Sequence, residues 1–138
     1  MGFELFVNSY RDGVPAGIAR TAVWSAFAGF VSEVDSRCLH VRYDGQNSCH
    51  LYLSEDKMDP GKITGFMVSR PCGDDRLWTA LASILQLGAV VLHFEGRAAL
   101  VSDPSNAAHL PEVMIEVFGA PRCISTGSEI LDAIAEDD

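Results

Sequence analysis

Two histidines and a cysteine are the residues of this chain best placed by spacing to do chemistry. His40 and His50 lie equally far from a turn at residues 44–46, so a β-hairpin closed there would set them opposite each other. Facing Cβ atoms are about 4.5–5.5 Å apart, close enough for two imidazoles to share a metal ion. Cys38 lies on the same face and would be a third ligand. The spacing supplies no fourth ligand, so a metal site at Cys38, His40 and His50 is an alternative interpretation and no cofactor is predicted.

The same hairpin face is better suited to protein recognition. Alternation along the two strands places Arg42 and Tyr52 beside the histidines. Tyrosine and arginine are enriched at the hot spots of protein interfaces. We therefore predict a partner-binding face formed by His40, Arg42, His50 and Tyr52.

Cys72 is the cysteine whose position best suits a reactive thiol. It directly precedes a predicted helix, where the positive end of the helix dipole favours a thiolate. Asp74 and Asp75 oppose that effect, and His93 is the base that the strand pattern suggests. A cysteine-dependent enzyme is therefore a second alternative, but no catalytic residue is predicted and a non-enzymatic protein is favoured.

The charge of the chain indicates what it binds. Nineteen acidic residues against ten basic ones give a formal net charge of −9, while 48% of the residues are hydrophobic. This combination is typical of a folded protein with an acidic surface. Such a surface repels nucleic acid and anionic membranes and attracts basic proteins. We predict a basic protein partner, no nucleic acid and no membrane, and leave a homo-oligomer open.

Length and cysteine usage predict one cytoplasmic domain over residues 1–138. The longest apolar run, residues 80–94, is interrupted by polar side chains and falls short of the roughly 20 residues that span a bilayer. The first residues lack the basic region of a signal peptide. The four cysteines form no C-x-x-C pair, so we expect reduced thiols and no zinc ribbon.

Hydrophobic periodicity predicts strands alternating with helices. The second helix has the clearest boundaries, because Asp74 can cap its start and Gly88 stands at its end. The strand after it, residues 89–94, is almost continuously apolar and is expected to be buried on both faces. Before this helix the pattern predicts, in order, a strand at 3–9, a helix that follows Pro15 and Gly17 and runs to about Phe30, a hairpin at 37–53 and a strand at 62–70.

The remaining residues complete an α+β arrangement. The order β-α-β-β-β-α-β-(α)-β-α predicts a mixed, mainly antiparallel sheet with helices packed on one face, which leaves the other face partly exposed. Residues 97–109 allow a short strand near 99–101 and a helical turn near Asn106. The last predicted elements are a helix at 111–118, a strand at 122–125 and a helix capped at Thr126 that runs into the acidic residues 136–138.

Two segments and a turn carry a resemblance. They are Gly65-Phe66-Met67-Val68-Ser69-Arg70-Pro71, Asp75-Arg76-Leu77-Trp78-Thr79-Ala80-Leu81 and, ahead of the first helix, Asp12-Gly13. Together they resemble small uncharacterised bacterial proteins, and some proteins of that general type are immunity proteins that bind and neutralise a toxin. The resemblance covers residues 3–96 and is a strand–loop–helix pattern without a catalytic motif. It implies a bacterial cytosolic protein with an α+β fold and carries over no functional residue.

These observations favour one function over its alternative. We expect a non-enzymatic acidic binding protein, of immunity type, with a basic protein partner. The alternative is a small metal-dependent or cysteine-dependent enzyme.

Overall fold

The computed structural model describes residues 3–35, 37–94 and 99–135. Within these ranges the strands are β1 (Glu4–Arg11), β2 (Val14–Pro15), β3 (Ile18–Ala19), β4 (Val31–Val34), β5 (Cys38–Arg42), β6 (Ser48–Glu55), β7 (Lys62–Ser69), β8 (Val90–His93), β9 (Leu100–Val101) and β10 (Arg122–Cys123). The helices are α1 (Arg20–Ala26), α2 (Asp75–Leu85), α3 (Glu112–Phe118) and α4 (Gly127–Ala135), with a 3-10 helix at Pro104–His109.

All ten of these strands belong to one open sheet. Its order is β10-β9-β8-β1-β7-β6-β5-β4, and the short strands β2 and β3 pair with β1 and β7 respectively. Strand β1 pairs antiparallel with both β7 and β8, whereas β9 and β10 are parallel. The predicted α+β class with a mixed, mainly antiparallel sheet is confirmed.

The main core lies between one face of the sheet and a layer of helices. Alternation in β1 turns Leu5 and Val7 into this core. Trp78 of α2 and Ile130 of α4 meet them from the helix layer, and both are fully buried. Helix α2 packs against both α1 and α4, so this face carries the helix layer that the sequence predicts.

A smaller helical cover lies on the opposite face. Val91 of β8 points away from its neighbours Val90 and Leu92 and is buried in a second cluster. This cluster includes Leu110 after the 3-10 helix and Met114 of α3. Strand β8 is therefore buried on both faces, as its continuous apolar sequence predicts. The short helix α3 packs at the β8–β9 end, so that the outward side chains of β5 and β6 remain accessible.

The predicted hairpin is confirmed in its register. His40 pairs with His50, Cys38 with Tyr52 and Arg42 with Ser48. The turn is closed by the Tyr43 N–H, which donates to the Asn47 carbonyl at 2.8 Å. Leu39, Val41 and Leu51 face the core between these residues and are fully buried. A one-residue slip would expose all of them, which fixes the register.

The predicted first helix, which follows Pro15 and Gly17 and runs to about Phe30, is confirmed in part, because it is shorter than expected. Residues 14–15 and 18–19 instead pair with β1 and β7, and α1 is confined to Arg20–Ala26. The chain leaves the helix through Gly29, which has a φ of +86°. Residues 31–34 then form the unpredicted edge strand β4, which has an irregular register between Val31 and Glu33. Strand pairing with residues distant in sequence therefore overrides the local helical period here.

The predicted helix caps are confirmed. The Asp74 side chain accepts a hydrogen bond from the Arg76 N–H at the start of α2. At α4, the Thr126 hydroxyl accepts from the Glu129 N–H at 3.3 Å, and the Glu129 carboxylate accepts from the Ser125 N–H. The short strand expected near residues 99–101 and the helical turn expected near Asn106 both occur, as β9 and the 3-10 helix; residues 97 and 98 lie outside the described residues. The predicted acidic end at 136–138 lies outside the described residues.

Nothing among the described helices has the length and apolarity needed to cross a membrane.

Close approach of α4 to α2 requires glycine at position 127. A Cβ atom there would lie 2.6 Å from the Thr79 nitrogen and the Trp78 carbonyl carbon. We expect Gly127→Ala to lower the free energy of unfolding by about 1–3 kcal/mol, since the helices must separate. Urea denaturation measures this change. Gly73→Ala is the matched control, because its Cβ would meet nothing within 4 Å; equal stabilities of the two variants would contradict the packing argument.

Candidate functional site

A stacked pair of histidines lies at the centre of the predicted partner-binding face. The rings of His40 and His50 are 4.3 Å apart between centroids and inclined by 7°. Ser32 of the neighbouring strand β4 holds His40 twice: its hydroxyl lies 3.0 Å from Nδ1 and donates to the His40 carbonyl at 3.2 Å. The pair is therefore fixed by strand pairing, ring contact and a hydrogen bond.

The histidine pair belongs to a row of polar residues that crosses five strands. Strand register aligns Glu33 of β4 with His40, His50 with Ser69 of β7, and Ser69 with Glu4 of β1. A carboxylate thus stands at each end of the row. Sheet pairing assembles this row from one residue of each of the five strands β4, β5, β6, β7 and β1.

A second row beside it is mainly aromatic and apolar. Register aligns Cys38 with Tyr52, Tyr52 with Met67, Met67 with Phe6 and Phe6 with His93. Tyr52 is 45% exposed. The Phe6 and His93 rings stack at 5.3 Å between centroids, and Phe118 of α3 contacts His93 at 5.2 Å, where the helical cover begins. We call the accessible part of the two rows, together with Arg42 at the turn end of β5, the open face: Glu4, Phe6, Glu33, Cys38, His40, Arg42, His50, Tyr52, Met67 and Ser69.

Arg42 completes the predicted set at the turn end of the hairpin. It lies two residues beyond His40 on the same side of β5, is exposed and pairs with Ser48. The structure therefore brings His40, Arg42, His50 and Tyr52 together on one surface, as alternation predicts.

The alternative metal site does not form a ligand set. Within the described ranges, no group of three or more His, Cys, Asp and Glu side chains is arranged to hold a metal ion. The stacked rings of His40 and His50 present their faces to each other, whereas a metal binds ring nitrogens in the ring plane. Burial and the nearby Asp35 and Glu33 carboxylates raise the pKa of Cys38, which disfavours the thiolate that a metal requires.

Beside the histidines the surface forms an acidic depression of about 190 Å³. Six residues line it: Glu33, Val34, Asp35, Cys38, His40 and His50. Two of them, Glu33 and Asp35, carry carboxylates. This depression suits a cationic side chain of a partner, because its carboxylates supply opposite charge.

Cys72 lies on the other side of the sheet. Its carbonyl accepts a hydrogen bond from Trp78 Nε1 at 3.1 Å, and its side chain packs against the main core. The suggested pairing of Cys72 with His93 as a base is wrong, because His93 stacks on Phe6 and lies 3.4 Å from the Asn8 amide. Alternation along β8 turns His93 away from the core, so the two residues occupy opposite faces.

An ion pair stabilises the helix start beside Cys72. Arg76 donates to both carboxylate oxygens of Asp74, at 2.9 and 2.8 Å, and its guanidinium lies 5.0 Å from the ring centroids of both Phe30 and Tyr43. Hydrogen bonds from the Arg76 side chain and backbone lower the pKa of Asp74 to about 2. Of the two acidic residues that the sequence places next to Cys72, Asp74 is therefore paired.

A cavity at the end of β1 was not predicted from the sequence. It has a volume of about 350 Å³ and is lined in part by Ser9, Arg11, Asn106 and His109. His109 Nδ1 lies 3.5 Å from the Asp12 carboxylate and 3.3 Å from the Asp12 nitrogen. These residues come from distant segments without a shared motif, so the sequence carries no signal for them.

Searches against family models, curated proteins and solved structures found no match for this chain.

The Asp74–Arg76 pair predicts a pH dependence of stability. Because folding lowers the pKa of Asp74 from 3.8 to about 2, its stabilisation is complete above the unfolded value and is lost as pH falls through the folded one. Asp74→Asn keeps a capping oxygen but removes the charge. We expect wild type to be more stable than Asp74→Asn at neutral pH, with the difference shrinking between about pH 4 and pH 2.

Urea denaturation across this range measures the difference. The control is the same comparison in an Arg76→Met background, where the pH-dependent part should diminish because the guanidinium is missing. A difference that stays constant down to the lowest pH would contradict the pairing.

Proposed function

We propose that this protein is a non-enzymatic acidic binding protein that engages a basic protein partner through the open face. The observation that carries the proposal is that Tyr52, Arg42 and the stacked His40–His50 pair lie side by side on the accessible part of the sheet. Exposed aromatic and arginine side chains on a rigid surface are typical of interface hot spots.

The chemistry of the open face fits an interface with an apolar centre and a charged rim. Tyr52 and Met67 supply the contact area at its centre, and Glu4 and Glu33 stand at its ends. The acidic depression beside His40 adds Asp35 to this rim. Apolar centre and polar rim are the usual anatomy of a protein interface.

Electrostatics favour a basic partner. The net charge of −9 attracts a cationic protein over a distance of about a Debye length, roughly 8 Å at physiological salt. Such attraction raises the association rate more than it slows dissociation. The apolar centre then provides the short-range contacts that hold the complex.

Rigidity of the surface supports the same function. The open face is built on paired strands, and its histidines are held by ring stacking and by Ser32. A surface already in its binding geometry loses little conformational entropy when a partner docks. This favours recognition of a folded partner.

The specific form of the proposal is an immunity-type protein of the bacterial cytoplasm. Toxins that attack nucleic acid are often basic because their substrate is anionic, so an acidic inhibitor can mimic that charge. The four cysteines, Cys38, Cys49, Cys72 and Cys123, are all free thiols, which is consistent with a reducing compartment.

The experiment starts from a partner purified with the tagged protein at low salt and identified by mass spectrometry. Calorimetric titration of this partner should give a Kd that weakens between about 50 mM and about 500 mM sodium chloride. Tyr52→Ala should weaken binding by about tenfold or more, since it removes the central aromatic contact. Binding with the same Kd at both salt concentrations would contradict the electrostatic part of the proposal.

A matched substitution locates the interface. Val117 on α3 is 69% exposed and lies outside the open face, so Val117→Ala should leave the Kd unchanged. Equal losses from Tyr52→Ala and Val117→Ala, or none from either, would show that the open face is not the binding surface. Self-association in light scattering that Tyr52→Ala abolishes would identify a second copy as the occupant instead.

Co-expression tests the immunity-type form. Cells that produce the identified partner as a toxin should grow when they also produce the wild-type protein, and should stop growing with the Tyr52→Ala variant. A partner that is harmless to the cells would exclude the immunity role while leaving the binding function intact.

A further inference from the structure

The cavity at the end of β1 is large enough for a small organic molecule. Its volume of about 350 Å³ is enclosed by the end of β1, by residues 87–89 after α2 and by the 3-10 helix. Small-molecule sites in proteins range from roughly 300 to 1,000 Å³. The groups along its walls therefore decide which class of molecule fits.

Two polar side chains of β1 line this cavity. Ser9 and Arg11 are two positions apart, so strand alternation places both on the same side of β1. Ser9 is 4% exposed, and its hydroxyl has no hydrogen-bond partner among the described residues. Because buried hydroxyl groups are normally hydrogen-bonded, the partner of Ser9 is expected to be a molecule inside the cavity.

A second wall comes from the 3-10 helix. Asn106 and His109 are three positions apart, and a 3-10 helix has three residues per turn, so they lie on one side of it. The Asp12 N–H donates to His109 Nδ1 at 3.3 Å, which leaves the proton of the neutral ring on Nε2. The Asn106 amide donates to the Gly88 carbonyl at 3.1 Å. Backbone groups thus hold both side chains in place.

The charge of the cavity is opposite to that of the whole chain. Among the described residues that line it, Arg11 carries a formal positive charge and none carries a carboxylate, whereas the chain has a net charge of −9. Arg11 forms no ion pair within the described ranges. The Asp12 side chain is 83% exposed and does not line the cavity. An anion therefore finds a guanidinium here that no other described group neutralises.

Apolar side chains supply another part of the wall. Ile18 is buried, but Leu87 is 43% exposed although it lines the cavity. A ligand with an apolar part would cover Leu87 and remove apolar surface from water. The cavity thus combines donors for an anionic group with a surface for a short hydrocarbon group.

We propose that this cavity binds a small carboxylic acid with a short apolar body. The carboxylate pairs with the Arg11 guanidinium and accepts from the Ser9 hydroxyl, and His109 Nε2–H is a further donor. The apolar body lies against Ile18 and Leu87. One guanidinium matches the single charge and planar shape of a carboxylate, which favours it over phosphate. This inference does not depend on the proposed partner, because none of these residues belongs to the open face.

The test is an NMR titration of the full chain with sodium acetate, sodium butanoate and sodium phosphate at constant ionic strength. We expect butanoate to bind with a Kd of about 1 mM or tighter, as a fragment with a few good contacts does. Acetate should bind more weakly, because it lacks the hydrocarbon group that covers Leu87, and phosphate more weakly than butanoate. The shifted backbone amides should be those of residues 9–11, 16–18, 87–89 and 106–109.

Substitutions separate a specific site from general charge. Arg11→Met keeps an unbranched side chain without the guanidinium and should weaken butanoate binding about tenfold or more, and Ser9→Ala should weaken it about threefold to tenfold. Arg42→Met is the matched control, since it changes the net charge equally but lies on the open face, and it should leave the Kd unchanged.

Three results would overturn the proposal. They are equal losses from Arg11→Met and Arg42→Met, phosphate binding as tight as that of butanoate, and no saturable shifts at the cavity with any of the three anions. Arg11 and Arg42 are both exposed, so the comparison between their variants holds even where Ser9→Ala lowers the stability of the fold.

Discussion

Strand β1 lies between β7 and β8 and pairs with both, so the two halves of the sheet are joined through one eight-residue segment. Its inward residues Leu5 and Val7 enter the main core, while Phe6 and Asn8 face the other side. The pairing brings Asn8 within 3.4 Å of His93, 85 residues later in the chain. Such non-local pairing carries a large loop-closure entropy. The sheet can therefore be completed only after most of the chain has been ordered.

This central strand also determines which surface remains accessible. On the β8 side, Val91 and Met114 bury the second face under α3. On the β7 side, the outward residues form two rows that the described helices leave accessible, and Tyr52 stands among them with nearly half of its surface exposed. Because helices cover the two faces of the sheet unequally, one face remains partly exposed to solvent, as is common for antiparallel sheets. The proposed binding function depends on that asymmetry.

The sequence allowed some features to be predicted because local signals agreed. In the 37–53 hairpin, the turn and the alternation of Leu39 and Val41 specify a single register, which also places His40 opposite His50. Helix α2 follows from its cap and apolar stripe. The two-residue strands β2 and β3 are too short to show an alternating pattern in the sequence. Because they pair with β1 and β7, the first helix is shorter than the sequence predicts.

The two edge strands of the sheet also affect how the protein can associate with other chains. At one edge, β4 is four residues long, has an irregular register between Val31 and Glu33, and carries a carboxylate. At the other edge, β10 has two residues. Short, irregular and charged edges are poor templates for an incoming strand. Recognition by strand addition is therefore disfavoured at both ends, and the same property guards the protein against edge-to-edge aggregation when it is abundant.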